Sequence, residues 1–88
     1  MTYRVKMARS ASTSLQESLP EAVAAASIEF ILGPLAEEPR RVGAPLREPY
    51  ARLWRARRGE YRVRYRVEED SRTVVVLDMS HRRDAYRR

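Results

Sequence analysis

Residues 51–66 read ARLWRARRGEYRVRYR, with seven arginines against one glutamate. Arginines alternate with apolar residues on both sides of Arg58-Gly59. This period of two is typical of a β-hairpin whose strands have two different faces. On the second strand Arg62, Arg64 and Arg66 would share one face, and tyrosines and valines the other. Because a row of guanidinium groups is suited to holding phosphates, the hairpin is the first indication of function.

The remaining sequence predicts a strand and two helices before the hairpin and a strand after it. Alternation over residues 2–7 indicates the first strand. Apolar residues at helical spacing indicate a short helix over 11–19 and a longer one that begins near 18–21, which Gly33-Pro34 should end or sharply disturb. The longer helix would bury a stripe of Ala24, Ile28, Ile31 and Leu35. The valine-rich run 73–79 is typical of a strand buried on both faces, in the interior of the sheet.

This order predicts an α+β fold, β-α-α-β-β-β, formed by residues 1–88 as a single domain. Two N-terminal helices would pack on one face of a twisted antiparallel sheet. The other face would then carry the arginines.

The net charge of +6 is unevenly distributed. Residues 1–42 are neutral overall, and residues 43–88 carry the whole excess. Codon usage in a GC-rich genome can explain why 17 of the 18 basic residues are arginine, but it does not explain this asymmetry. The asymmetry favours a polyanionic partner bound by the second half.

Composition excludes several classes of protein. The chain has no cysteine and one histidine, so disulfides are excluded and we expect neither a metal site nor a cofactor. The longest apolar run, 22–32, is too short to span a bilayer, and the N-terminus lacks the apolar core of a signal peptide. We therefore expect a cytoplasmic protein. No Walker loop, GxSxG or HExxH motif is present.

The basic face and the tail suit RNA cleavage by the substrate's own 2′-hydroxyl. That reaction needs a base, cations for the charge that builds on phosphorus, and an acid for the leaving oxygen. Tyr86 or His81 can move protons, although an unperturbed tyrosine is a poor base unless arginines lower its pKa. The structural alternatives stay open at this point: Tyr86 can anchor the tail, His81 can end a strand, and the arginines can form an ordinary solvated face.

Several motifs resemble the RelE/ParE superfamily of toxin–antitoxin toxins, nearly over the whole chain and in the same order. They are Leu15-Gln-Glu-Ser-Leu-Pro20, Ile28-Glu-Phe-Ile31, Pro39-Arg-Arg-Val-Gly43-Ala-Pro-Leu46, Arg57-Arg-Gly-Glu-Tyr-Arg-Val63 with Tyr65, and His81-Arg-Arg-Asp-Ala-Tyr-Arg87. The motifs at 57–63 and 81–87 are similar to those of the RelE branch. The resemblance implies the α+β fold described above and a ribosome-dependent endoribonuclease that cuts mRNA in the A site.

The resemblance also implies roles for single residues. Arg55 takes the basic position on the first hairpin strand, and Arg62 takes the phosphate-stabilising position on the second. Arg82 is a candidate acid or charge stabiliser, and Tyr86 is the favoured base for the 2′-hydroxyl, with His81 the second choice for proton transfer. The other arginines expected to bind RNA or ribosome are Arg57, Arg58, Arg64, Arg66 and Arg83.

The chain departs from the best-known member of the family at two places. That member has two lysines on the first hairpin strand, where this chain has Leu53 and Arg55. Arginine stays protonated, so Arg55 cannot readily act as a base. The spacing from Arg82 to Tyr86 is also shorter, which leaves the roles of Arg83 and His81 open.

The implied partners are a cognate antitoxin, the ribosome and mRNA, with a toxin–antitoxin hetero-oligomer and no membrane. Two other hypotheses remain. A ParE-type protein on the same fold would inhibit DNA gyrase without cutting RNA, and a remnant would only bind its antitoxin.

Overall fold

The computed structural model describes residues 2–47 and 52–81, which form five strands and three helices. The strands are β1 Arg4–Met7, β2 Ala44–Pro45, β3 Leu53–Arg58, β4 Tyr61–Glu68 and β5 Thr73–His81. The first helix is α1 Arg9–Thr13 with a π-helical continuation Ser14–Ser18, the second is α2 Glu21–Phe30 with a π-helical continuation Ile31–Leu35, and the third is α3 Pro39–Val42. Within the described ranges, no helix has the length and apolar character needed to cross a membrane.

The strands form one sheet in the order β1-β5-β4-β3-β2. The α+β class and the predicted order of the main elements are confirmed, with one correction. The sheet is mixed rather than wholly antiparallel, because β1 runs parallel to β5 with Arg4 opposite Thr73. Two further elements, β2 and α3, lie in the segment 36–50, where Pro39, Gly43, Pro45 and Pro49 predict an irregular connection. β5 lies inside the sheet, as predicted, between β1 and β4.

Pro34 disturbs the second helix but does not end it. It lies inside the π-helical continuation, and the backbone N–H of Glu38 still bonds the Pro34 carbonyl at 3.0 Å. Proline lacks an N–H and its ring collides with the carbonyl four residues earlier, and a wider π turn is one way to relieve that collision. The predicted stripe is correct for Ile31 and Leu35, which are buried, and wrong for Ile28, which is 43% exposed.

A β-bulge decides which side chains of β5 reach the core. Arg64 lies opposite Asp78 and Tyr65 lies opposite Val76, so Leu77 is an extra residue between them. The bulge lets Val76 and Met79 both be buried. Val75 and Leu77 are only half-buried, so the prediction of a strand buried on both faces was wrong.

Tyr65 joins the sheet to α3 at the centre of the core. Its side chain is fully buried and its hydroxyl donates a hydrogen bond to the Pro39 carbonyl. Burial raises the pKa of Tyr65 to about 12, because the phenolate would lose its solvation. Burial also raises the pKa of Tyr61, whose hydroxyl donates to the Ala26 carbonyl at 3.3 Å.

These tyrosines predict a loss of stability at alkaline pH. In the unfolded chain a tyrosine ionises near pH 10, whereas Tyr65 keeps its proton in the fold up to about pH 12. The unfolded state therefore binds fewer protons between these values, and the free energy of unfolding falls as pH rises through the window. The contribution of Tyr65 is on the order of 2 kcal/mol. Denaturant unfolding at pH 9 to 12 measures the fall, which should be shallower in Tyr65→Phe; an equal slope in both proteins would contradict this assignment.

Candidate nucleic-acid interface

The two faces of β4 differ as the alternation predicts. Tyr61, Val63 and Tyr65 are buried under the helices. The arginines that alternate with them, at positions 62, 64 and 66, are half-exposed on the other face. That face is called the open face below.

Strand register arranges the open-face side chains in two rows. Arg62 lies opposite Arg57 on β3 and opposite Ser80 on β5. Two residues further along β4, Arg64 lies opposite Arg55 and Asp78. Side chains that are directly opposite have Cβ atoms about 5 Å apart, so each row brings two guanidinium groups together.

The described residues of this face line two clefts. The first, of about 310 Å³, is lined by Val42, Gly43, Ala44, Arg55, Arg57 and Arg62. The second, of about 250 Å³, is lined by Leu46, Arg55, Arg62, Arg64, Asp78 and Ser80. Arg55 and Arg62 therefore line both clefts and form the boundary between them.

The arginines of the open face differ in whether an acid balances them. Arg64 donates from Nε to Asp78 at 2.9 Å and also contacts it through Nη2, and Arg66 pairs with Glu68 at 2.7 Å. The three remaining arginines of the clefts have no salt bridge to any residue in 2–47 or 52–81; they are Arg55, Arg57 and Arg62. Like charges opposite each other on a sheet repel, so this trio is destabilising unless an anion lies between its members.

The backbone at Gly43, which lines the first cleft, packs closely against the buried Tyr65. Ala44 on β2 pairs with Arg55 on β3, so the chain at Gly43 passes close to the sheet. A Cβ on Gly43 would lie 2.0 Å from the Tyr65 hydroxyl and 2.9 Å from the Arg55 carbonyl. Only glycine allows this approach, which fixes the cleft wall against the strand that carries Arg55.

Two of the predicted site residues lie on the other face. Arg58 and His81 both pair with the buried Tyr61, which assigns them to the helix-covered face rather than the open face. The Arg58 guanidinium lies over the Phe30 ring, 5.1 Å from its centroid. The His81 side chain is 13% exposed and its Nε2 is 3.5 Å from Oε1 of Glu60. Neither residue lines the arginine clefts.

Three further predicted site residues, Arg82, Arg83 and Tyr86, lie outside the described residues. The sequence reasoning missed Gly43, Asp78 and Ser80, which line the clefts. A signal for Asp78 was present, because it interrupts the apolar run 73–79 with a charge.

Comparison with known proteins identifies a family. The model for "ParE toxin of type II toxin-antitoxin system, parDE" matches residues 6–86. Toxin RelG of Mycobacterium tuberculosis (strain ATCC 25618 / H37Rv) is 46% identical over 88 residues, covering 100% of both chains. Toxin RelE of the same strain is 41% identical over 85 residues, covering 97% of this chain and 87% of the relative.

A solved structure has the same fold. It is the crystal structure of the toxin–antitoxin complex RelBE2 from M. tuberculosis, and one of its chains superposes with a TM-score of 0.90 at 43% identity. The match covers 93% of this chain and 100% of that one.

Proposed function

This chain belongs to the family of ParE toxins of type II toxin–antitoxin systems, and we propose that it is an endoribonuclease that cleaves translated mRNA in the ribosomal A site. The observation that carries this proposal is the trio Arg55, Arg57 and Arg62 around the first cleft. A cationic cleft of this kind suits a phosphodiester.

The reaction we propose is attack by the 2′-hydroxyl of the substrate on the adjacent phosphorus, with departure of the 5′-oxygen. Negative charge builds on the phosphoryl oxygens, and fixed guanidinium groups stabilise it. Arg62 is the main candidate, because it lies on an interior strand, lines both clefts and is only half-exposed. Arg55, the next candidate, shares both clefts.

Proton transfer is assigned from the family resemblance. Tyr86 is proposed as the base that takes the 2′-hydroxyl proton, and Arg82 as the acid or charge stabiliser. His81 is a weaker candidate than its sequence position indicates, because its pairing with Tyr61 assigns it to the helix-covered face.

A cognate antitoxin is proposed as the partner. The RelBE2 relative was solved as a toxin–antitoxin complex, and the cationic open face of this chain suits an acidic segment that folds on binding. Because the proposed target is the ribosome, we also propose a cytoplasmic location.

The experiment is inducible expression followed by mapping of mRNA 5′ ends. We expect cuts inside codons of translated messages, and none with Arg62→Ala combined with Tyr86→Phe, provided that this variant still folds. Intact mRNA during growth arrest by the wild-type chain would contradict the ribonuclease assignment.

A second candidate function follows from the family description, which names ParE. A ParE-type toxin would inhibit DNA gyrase, and we would then expect a DNA-damage response with intact mRNA. The RelG and RelE relatives and the charge trio favour the ribonuclease.

A further inference from the structure

Asp78 is the one acidic residue among the described side chains that line the two clefts. Arg64 binds it through Nε, 2.9 Å from Oδ1, and through Nη2 to Oδ2. These are neighbouring donors of the planar guanidinium fork, which a phosphate also uses. Asp78 therefore occupies the Nε and Nη2 donors of Arg64, which an RNA phosphate would otherwise bind.

The two clefts differ in charge because of this residue. Among the described residues, those that bring charge to the first cleft are all arginines. The second cleft shares Arg55 and Arg62 with the first but also contains the Asp78 carboxylate and the Ser80 hydroxyl, both hydrogen-bond acceptors. A phosphate in the second cleft would meet a like charge and would have to displace Asp78 from Arg64.

We propose that Asp78 sets the register of the bound RNA strand. The reacting phosphate occupies the first cleft, and the second cleft takes a hydrogen-bond donor of the adjoining nucleoside, such as a base amino group or a sugar hydroxyl. Carboxylates accept hydrogen bonds from base amino groups, which makes Asp78 a specificity-determining residue. This inference rests on the proposed function of the open face.

The test measures how tightly purified toxin binds a fluorescein-labelled, single-stranded 2′-O-methyl RNA, which has no 2′-hydroxyl to attack with. Asp78→Asn removes the repelling charge and opens a second phosphate position. We expect binding about fivefold tighter at 0.1 M salt. The plot of log binding constant against log salt concentration should be steeper by about 0.7, the value for one added phosphate contact on a single strand. Asp70→Asn is the matched control, because it makes the same charge change at an exposed turn and should alter affinity less than twofold.

Arg64→Ala completes a double-mutant cycle. It leaves the Asp78 charge unbalanced beside the clefts and should weaken binding, and the double variant Arg64→Ala/Asp78→Asn should return to within about twofold of wild type. If thermal unfolding shows that Asp78→Asn does not fold, the RNA affinity of Arg64→Ala decides the test. Unchanged binding in Arg64→Ala, or equal slopes in Asp78→Asn and Asp70→Asn, would overturn the inference.

Cleavage positions separate this inference from the proposed function. On translated mRNA, Asp78→Asn should spread the cuts over adjoining phosphodiester bonds, whereas Asp70→Asn should keep the wild-type positions. If the wild-type chain cleaves mRNA and Asp78→Asn cuts at the same positions, the inference about the RNA register is overturned and the ribonuclease assignment stands. Absence of cleavage by the wild-type chain overturns the ribonuclease assignment.

Discussion

Replacing Arg62 by alanine should lower the rate of mRNA cleavage by about 100- to 1,000-fold, the typical cost of removing one donor that stabilises charge in a transition state. The side chain projects from β4, which is paired on both sides, and it lines both clefts. Its backbone position is fixed by pairing with β3 and β5. The rate is measured by primer extension on ribosome-bound message.

Two further variants test whether charge alone explains the effect. Arg62→Lys keeps the charge but loses the planar fork, so we expect an intermediate rate. Arg4→Ala removes an arginine from the exposed edge strand β1 and should change the rate by less than about twofold. Circular dichroism establishes that each variant is folded. Equal rates for Arg62→Ala and Arg4→Ala would rule out the proposed role of Arg62.

The β4 arginines could be assigned to a face from the sequence because a strand has a fixed period of two. Arg62 and Tyr65 fall on opposite faces whatever the neighbouring strands do. The partner of β1 could not be predicted, because nothing local to Arg4–Met7 specifies the parallel pairing with β5. The pairing joins the first strand to the last, so it depends on how the three helices and three strands between them return the chain.

The candidate site could be predicted only in part, for the same reason. Arg55 and Arg62 follow from alternation and from the family resemblance. The bulge at Leu77 shifts the register of β5, and strict alternation cannot show which residues lie opposite Arg64. The distinction between balanced and unbalanced arginines therefore required the structure, because Arg64 meets Asp78 only through that register.

Gly43→Ala should lower the free energy of unfolding by at least about 1–3 kcal/mol, the usual cost of overpacking a core. The backbone at Gly43 has φ −129° and ψ −176°, an extended conformation that alanine adopts without strain. The effect is therefore steric. The new methyl group would lie 2.0 Å from the buried Tyr65 hydroxyl, and that hydroxyl is held by the Pro39 carbonyl. Gly33→Ala is the control, since a Cβ there meets nothing within 4 Å outside its chain neighbours and its own helix backbone. The ring of Pro34 crowds a Cβ on the preceding helical residue, so we expect a cost, but a smaller one than for Gly43→Ala.

Tyr65→Phe identifies the atom responsible for the effect of Gly43→Ala. Alone, it leaves the Pro39 carbonyl without its donor and should cost about 1–3 kcal/mol. Combined with Gly43→Ala, it removes the closest clash but not those with the ring carbon at 3.0 Å and the Arg55 carbonyl at 2.9 Å. The double variant should therefore be more stable than the sum of the single effects by about 1 kcal/mol, measured by urea unfolding. Strict additivity would mean that the methyl group is accommodated by movement of 42–44 instead. Such movement would lower RNA affinity, because these residues form the wall of the first cleft.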